Sequence, residues 1–266
     1  MSEVKIAPIP DLGQRTDEIT IYAGPCSVES AEQFEEVAEC VADLGLHWIR
    51  GGAFKPRTNP HSFQGLGEEA LKIMKAAGDK YNLKTLTEVM DSAHCQLVSD
   101  YVDGLQVGAR NFQNFSLLKK IGQVTADTHQ MVLYKRGFAG TIAEWLAATD
   151  YLTAEGNDNV VLCERGIRTF ETATRFTLDI AAVPVIHKQS LYPVCIDVSH
   201  PAGQRDLVPA LAKAAVAAGA DSLMIEVHPN PPVALSDGPQ QLTPAQFRDL
   251  VAELRELAAC LGKKIV

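Results

Sequence analysis

Val194-Cys195-Ile196-Asp197-Val198-Ser199-His200 opens a stretch that continues through an alanine-rich segment closing in Ala217-Ala218-Gly219-Ala220 and ends in Ser222-Leu223-Met224-Ile225-Glu226-Val227-His228. Two short apolar runs flank a helical segment that Gly219 stops. Each run is continuously apolar, as parallel strands covered on both faces require. Each also ends in an acid followed by histidine.

The same unit recurs from one end of the chain to the other. The pattern predicts strands at Ile19–Ala23, His47–Arg50, Lys84–Val89, Gly104–Gly108, Met131–Lys135, Val160–Cys163, Val194–Val198 and Ser222–Val227. Helices with legible ends lie between them. Ser30 with Gln33 forms a capping box ahead of Phe34, Val37, Ala38, Val41 and Leu44, with Gly45 as the stop. Thr141 with Glu144 repeats the box before a helix reaching Glu155, and Thr243, Pro244 and Gln246 start the last helix. Eight such units in about 250 residues match a closed barrel. The expectation is a single-domain α/β protein, a (β/α)8 TIM barrel over residues 19–266 with an N-terminal extension over residues 1–18. A doubly wound open sheet is the alternative, but no G-x-G-x-x-G follows the first strand.

Composition narrows the function classes. The 266 residues carry a net charge of −9 without a basic run, which argues against nucleic acid and anionic membranes as partners. No apolar run approaches the roughly 18–20 residues of a membrane span. Residues Met1 to Glu18 are polar and contain Asp and Glu, unlike a signal or transit peptide, so a cytoplasmic location is expected. Cys26, Cys40, Cys95, Cys163, Cys195 and Cys260 are scattered without C-x-x-C pairs, which suits reduced thiols.

In such barrels the active site lies at the C-terminal strand ends. The first, seventh and eighth ends supply Cys26, His200 and Glu226, and strand eight neighbours strand one in a closed barrel. These three can converge, with Asp237 in the last loop completing the set. Singly, a cysteine after Gly-Pro is more often inert packing, and Asp237 before Gly238 is a plain turn signal. Joint placement on adjacent ends favours a divalent metal, and mixed sulfur, nitrogen and oxygen donors suit Mn, Fe, Co or Zn better than Mg or Ca. The other ends are cationic. Arg50, Lys55, Arg57, Arg110, Lys135 and Arg165 share one mouth, an arrangement that is costly unless anions bind there, and sufficient for two anionic substrates. Arg136 and Arg168 are open between rim and support.

Several segments together resemble 3-deoxy-D-arabino-heptulosonate 7-phosphate (DAHP) synthase of the short type Iβ branch, over residues 18 to 260. They are Ala23-Gly24-Pro25-Cys26-Ser27-Val28-Glu29, Arg50-Gly51-Gly52-Ala53-Phe54-Lys55-Pro56-Arg57-Thr58, Phe63-Gln64-Gly65-Leu66-Gly67, Gln106-Val107-Gly108-Ala109-Arg110-Asn111, Cys163-Glu164-Arg165-Gly166-Ile167-Arg168-Thr169-Phe170, Glu226-Val227-His228-Pro229 and Leu235-Ser236-Asp237-Gly238-Pro239-Gln240.

The resemblance implies a metal-dependent condensation of phosphoenolpyruvate with erythrose 4-phosphate, releasing phosphate at the start of the shikimate pathway. It implies Cys26, His200, Glu226 and Asp237 as metal ligands. Phosphoenolpyruvate would be held by Arg50, Lys55, Arg110, Lys135 and Arg165, with Ala109 and Glu88 beside it, and the aldose phosphate by Lys55, Pro56, Arg57 and Thr58. Lys55 would act on the emerging alkoxide. A homodimer or homotetramer is implied, with no fused regulatory or chorismate mutase domain; control through a separate partner stays open.

Three positions depart from the family pattern. Gln204 stands where another arginine is frequent, and Asn59 and His61 follow Thr58; all three bear on the aldose side. The nearest rival is 3-deoxy-D-manno-octulosonate 8-phosphate synthase, which uses arabinose 5-phosphate and in which Lys-Ala-Asn-Arg is expected in place of Lys55-Pro56-Arg57-Thr58. An unrelated metal-dependent aldolase would be richer in histidine, whereas here only His200 is well placed, with His228 as a supporting neighbour. A non-catalytic binding barrel would most simply lack a ligand or cation, and none is missing.

Overall fold

The computed structural model describes residues 17–56, 59 and 61–266. The expected extension lies almost wholly outside them, as do Arg57 and Thr58. Among the described residues, eight parallel strands close into one barrel. They are β1 (Glu18–Gly24), β2 (Trp48–Arg50), β3 (Lys84–Val89), β4 (Gly104–Val107), β5 (Met131–Lys135), β6 (Val160–Glu164), β7 (Val194–Asp197) and β8 (Ser222–Glu226). Each pairs with the next, and β8 and β2 both pair with β1, so no open edge is left in the ring. The crossovers carry α1 (Ala31–Asp43), α2 (Glu68–Tyr81), α3 (Cys95–Ser99), α4 (Phe115–Thr125), α5 (Ile142–Thr153), α6 (Ala182–Gln189), α7 (Ser199–Ala202) and α8 (Val208–Ala217), and α9 (Pro244–Cys260) follows β8.

Strand alternation divides the core in two. Tyr22, Leu86, Leu133, Val161, Cys163, Cys195 and Met224 point inward and fill the barrel, with Trp48 edge-on to Tyr22 at 5.5 Å. The opposite parity, including Ile21, Ala23, Val132, Tyr134 and Val160, packs against Phe34, Leu71, Trp145 and Phe247 of the helices. Trp145 joins the two layers: it is fully buried, and its indole N–H donates to the carbonyl of Tyr134 at 3.3 Å. Trp145→Ala removes that packing and the indole hydrogen bond. It is expected to cost about 3–5 kcal/mol of unfolding free energy in a urea titration, within the usual range for such truncations.

The expected strands are all present, with ends shifted by a residue at several positions. The helix after Thr141 stops at Thr153 rather than Glu155. The boxes at Thr141 and Thr243 form in full. At Ser30 only half forms. Its hydroxyl accepts from the Gln33 amide, but the Gln33 side chain turns to Glu29 N and Ser27 O, bracing the β1–α1 loop instead. One element had no counterpart in the sequence reading: β9 (Lys264–Ile265) lies parallel to β1, pairing Glu18 with Lys264 and Ile19 with Ile265.

Candidate active site

Parallel register brings the acidic end of the barrel together. Gly24 is opposite Glu226 and Asp197 is opposite Met224, so the loops after β1, β7 and β8 rise side by side. Cys26 Sγ lies 3.3 Å from Asp237 Oδ2, and His200 Nε2 lies 3.6 Å from Glu226 Oε1 and 3.9 Å from Asp237 Oδ2. The donor atoms of Cys26, Glu226 and Asp237 fall within 4.8 Å of one another. Ligands at roughly 2.0–2.3 Å from one ion stand about 3–4 Å apart, so Cys26, Glu226 and Asp237 form a possible metal-ligand cluster with His200 beside it.

Each donor is oriented by a neighbour. Asp197 Oδ2 meets His200 Nδ1 at 2.6 Å, while Oδ1 accepts from the Ser199 and His200 amides at 3.2 and 3.1 Å. The carboxylate accepts a hydrogen bond from Nδ1–H and leaves Nε2 facing the other donors. Burial holds the His200 pKa below the ordinary imidazole range, although Asp197 and Glu226 pull it up. Burial also opposes ionisation of Asp197, but His200 and Lys135 outweigh it and hold its carboxyl well below the usual range. Glu226 is fully buried between Arg50 Nη1 at 3.2 Å and Gln240 Nε2 at 2.6 Å. Burial, then the Glu226 charge, pushes the Cys26 thiol up to about 12, partly offset by Lys55. Asp237 adopts a left-handed backbone at φ 48°. Its carboxyl, despite burial, is drawn down to about 2 by His200, Arg175 and Lys55. Its loop is stitched to that of Cys26. Glu29 accepts from Leu235 N at 2.8 Å, Ser27 and Ser236 share a 2.5 Å hydrogen bond, and Gln241 Oε1 accepts from Cys26 N at 3.0 Å.

Beside the donors lies a cavity of about 330 Å³, within the common size range for small-ligand sites. Arg50, Lys135 and Arg165 are buried in its wall at 4–5% exposure, while Arg110 is exposed. Lys135 pairs with Asp197 at 2.7 Å. Arg50 Nε and Arg165 Nη1 are buried without a hydrogen-bond partner, an arrangement that an anion resolves. Lys55 Nζ lies 2.9 Å from Cys26 O and 3.0 Å from Cys26 Sγ. It reaches there over Gly52, where a Cβ would come within 2.7 Å of the lysine chain. Gly108 likewise gives room to Glu88, whose Oε1 would meet an added Cβ at 2.0 Å.

The structure gathers most of the expected residues in one place. Lys55, Pro56, Glu88, Ala109, Arg110, Lys135, Arg165, His200 and Asp237 line the cavity with Arg50, and so does Asn59. His61 does not line it, and its amide donates to Asn59 Oδ1. Gln204 borders an adjoining groove and donates to Ala173 O. Arg136 is a support: it is buried, with Nη1 on Glu164 and Asp179 at 3.0 and 2.7 Å. Arg168 presents its guanidinium 5.4 Å from the Phe138 ring. The sequence reading missed Phe138, Arg175 and Phe176 in the wall, and Gln240 behind Glu226.

A rim of anion-seeking cations next to four convergent donors, at the C-terminal end of a filled (β/α)8 barrel, defines the class: an enzyme site for phosphorylated substrates with a place for a divalent cation. Comparison with known proteins makes this particular. The chain belongs to the DAHP synthetase I family, whose model matches residues 12–261. A phospho-2-dehydro-3-deoxyheptonate aldolase of Thermotoga maritima is 50% identical, over 92% of this chain and 72% of that protein. A 2-dehydro-3-deoxyphosphooctonate aldolase of Caulobacter vibrioides is 32% identical, over 90% of this chain and 87% of its own. The crystal structure of the Thermotoga maritima DAHP synthase superposes with a TM-score of 0.90 at 49% identity, covering 94% of this chain and 72% of that one. A truncated form of the Thermotoga maritima synthase gives 0.87 at 46% identity, with 94% and 90% covered.

Proposed function

We propose that the chain is a DAHP synthase that condenses phosphoenolpyruvate with erythrose 4-phosphate, using one divalent metal ion. The observation that carries this is a cavity walled by His200, Asp237 and the buried, partly unsatisfied cations Arg50 and Arg165, with Cys26 and Glu226 buried against those two donors. Greater identity to the heptonate than to the octonate aldolase favours the four-carbon aldose.

Arg50, Arg110, Lys135 and Arg165 seat the phosphate and carboxylate of phosphoenolpyruvate, with Ala109 and Glu88 beside it. Lys55 and Pro56 face the aldose, and Arg57 and Thr58 are assigned to its phosphate. A divalent cation held by Cys26, His200, Glu226 and Asp237 would supply Lewis acidity to the aldehyde. C3 of phosphoenolpyruvate attacks the aldehyde carbon, forming the new C–C bond, and Lys55 donates a proton to the emerging alkoxide. Water adds at C2, and the resulting hemiketal phosphate collapses to the C2 ketone, breaking the C–O bond to release inorganic phosphate. The proposed holder of the cation is the four-residue set; Mn, Fe, Co and Zn all suit its mixed donors. A homodimer or homotetramer in the cytoplasm belongs to the same reading.

The test is loss of phosphoenolpyruvate absorbance by chelator-treated protein, with erythrose 4-phosphate or arabinose 5-phosphate, with and without manganese(II). Metal-dependent consumption with the four-carbon sugar alone is expected. Consumption with the five-carbon sugar instead moves the activity to the octulosonate synthase, and none with either overturns both.

A further inference from the structure

We propose that Phe138 and Phe176, on the loops after β5 and β6, form a positioning platform that holds Arg165 and Arg110 ready for phosphoenolpyruvate; this rests on the function proposed above. The rings stack with centroids 5.1 Å apart and planes 8° from parallel. Arg165 lies 4.1 Å from the Phe176 centroid and 4.9 Å from that of Phe138, and Arg110 lies 6.0 Å from Phe138. Both rings are half-buried in the cavity wall.

Three other cations of the wall carry a carboxylate. Arg50 has Glu226 at 3.2 Å, Lys135 has Asp197 at 2.7 Å, and Arg175 has Asp237 at 3.2 Å. Arg165, at 5% exposure, makes no ion pair with any described residue, and its Nη1 has no hydrogen-bond partner. Burial without a counter-ion is costly, and here the π faces offset part of it. The distinction matters for binding. A carboxylate would occupy the guanidinium fork and have to be displaced by an incoming anion. A ring face fixes the plane of the group and leaves its N–H donors free.

The backbone places both rings for this. Phe138 O accepts from Arg168 N at 2.8 Å, and Phe176 N donates to Pro201 O at 3.1 Å, one residue beyond His200. Gly166, at φ 91°, leaves space that a Cβ would take from Phe176, coming within 2.7 Å of its own Cβ. A loop phenylalanine serving only as packing would require neither a cation on its face nor this alignment.

The experiment measures calorimetric binding of phosphoenolpyruvate, and of inorganic phosphate as a probe, to the whole chain without aldose. It compares wild type with Phe138→Leu, Phe176→Leu and the tyrosine variants. Each leucine is expected to weaken binding of both ligands by about 5- to 30-fold, the effect of losing a partly desolvated cation–π contact. Each tyrosine is expected to stay within about threefold of wild type, and each leucine to raise KM for phosphoenolpyruvate more than it lowers kcat. Unchanged binding in the leucine variants, with phosphoenolpyruvate bound by wild type, overturns the platform and leaves the proposed function standing. Tyrosine variants as weak as leucine, with Tm and kcat falling together, reduce the rings to structural packing and also overturn it. Failure of wild type to bind phosphoenolpyruvate overturns the function and the platform with it.

Discussion

Lys55→Ala is expected to lower kcat by about 10²- to 10⁴-fold, the range that a positioned proton donor contributes. Its ammonium is held 3.0 Å from Cys26 Sγ and 2.9 Å from Cys26 O, at the boundary between the metal donors and the anion cavity. A cation held by Cys26 would supply Lewis acidity beside Nζ, and Lys55 is placed to protonate the oxygen of a bound aldehyde. Lys55→Arg is not expected to rescue, because guanidinium is a far weaker acid. Stopped-flow loss of phosphoenolpyruvate absorbance at saturating substrates is the measurement, with metal content of each variant as control. A fall of less than about tenfold, with metal retained, would remove Lys55 from proton transfer.

Cys26→Ala is the second large effect. The thiol is fully buried, and its Sγ faces Asp237 and Lys55 rather than an apolar pocket. Losing a direct ligand is expected to weaken metal affinity by more than about 100-fold, beyond the 10- to 100-fold typical of residues that merely orient ligands. Activity should collapse when free metal is buffered to low concentration. Cys260→Ala, at the exposed end of α9, should leave both unchanged. Metal content after dialysis against chelator, measured beside turnover, decides the matter. A Cys26→Ala protein that keeps its metal and its rate would exclude the cysteine from the donor set.

The strands, and the convergence of Cys26, His200, Glu226 and Asp237, were legible in the sequence because the strands are periodic and the four residues follow their ends. Eight continuous apolar runs give the ring, and ring closure places Glu226 beside Gly24 without further information. Phe138, Arg175 and Phe176 were not legible for the complementary reason. They lie in loops outside the periodic elements, where a phenylalanine or arginine carries no directional signal until the backbone is known. Gln240 behind Glu226 was equally silent, since a glutamine after Gly-Pro reads only as a turn. The short β9 gave too few residues for a period, and its pairing with β1 comes from proximity rather than propensity.

The filled interior of the barrel sets the traffic of molecules through the site. Tyr22, Leu86, Leu133 and Met224 plug the ring, so whatever enters at the top must leave by the same doorway. Arg50 and Lys135 are almost wholly buried, whereas Asn59 and Arg110 stand near the opening. A molecule resting on the inner pair is therefore shut in by whatever settles over it, so the inner one has to arrive first.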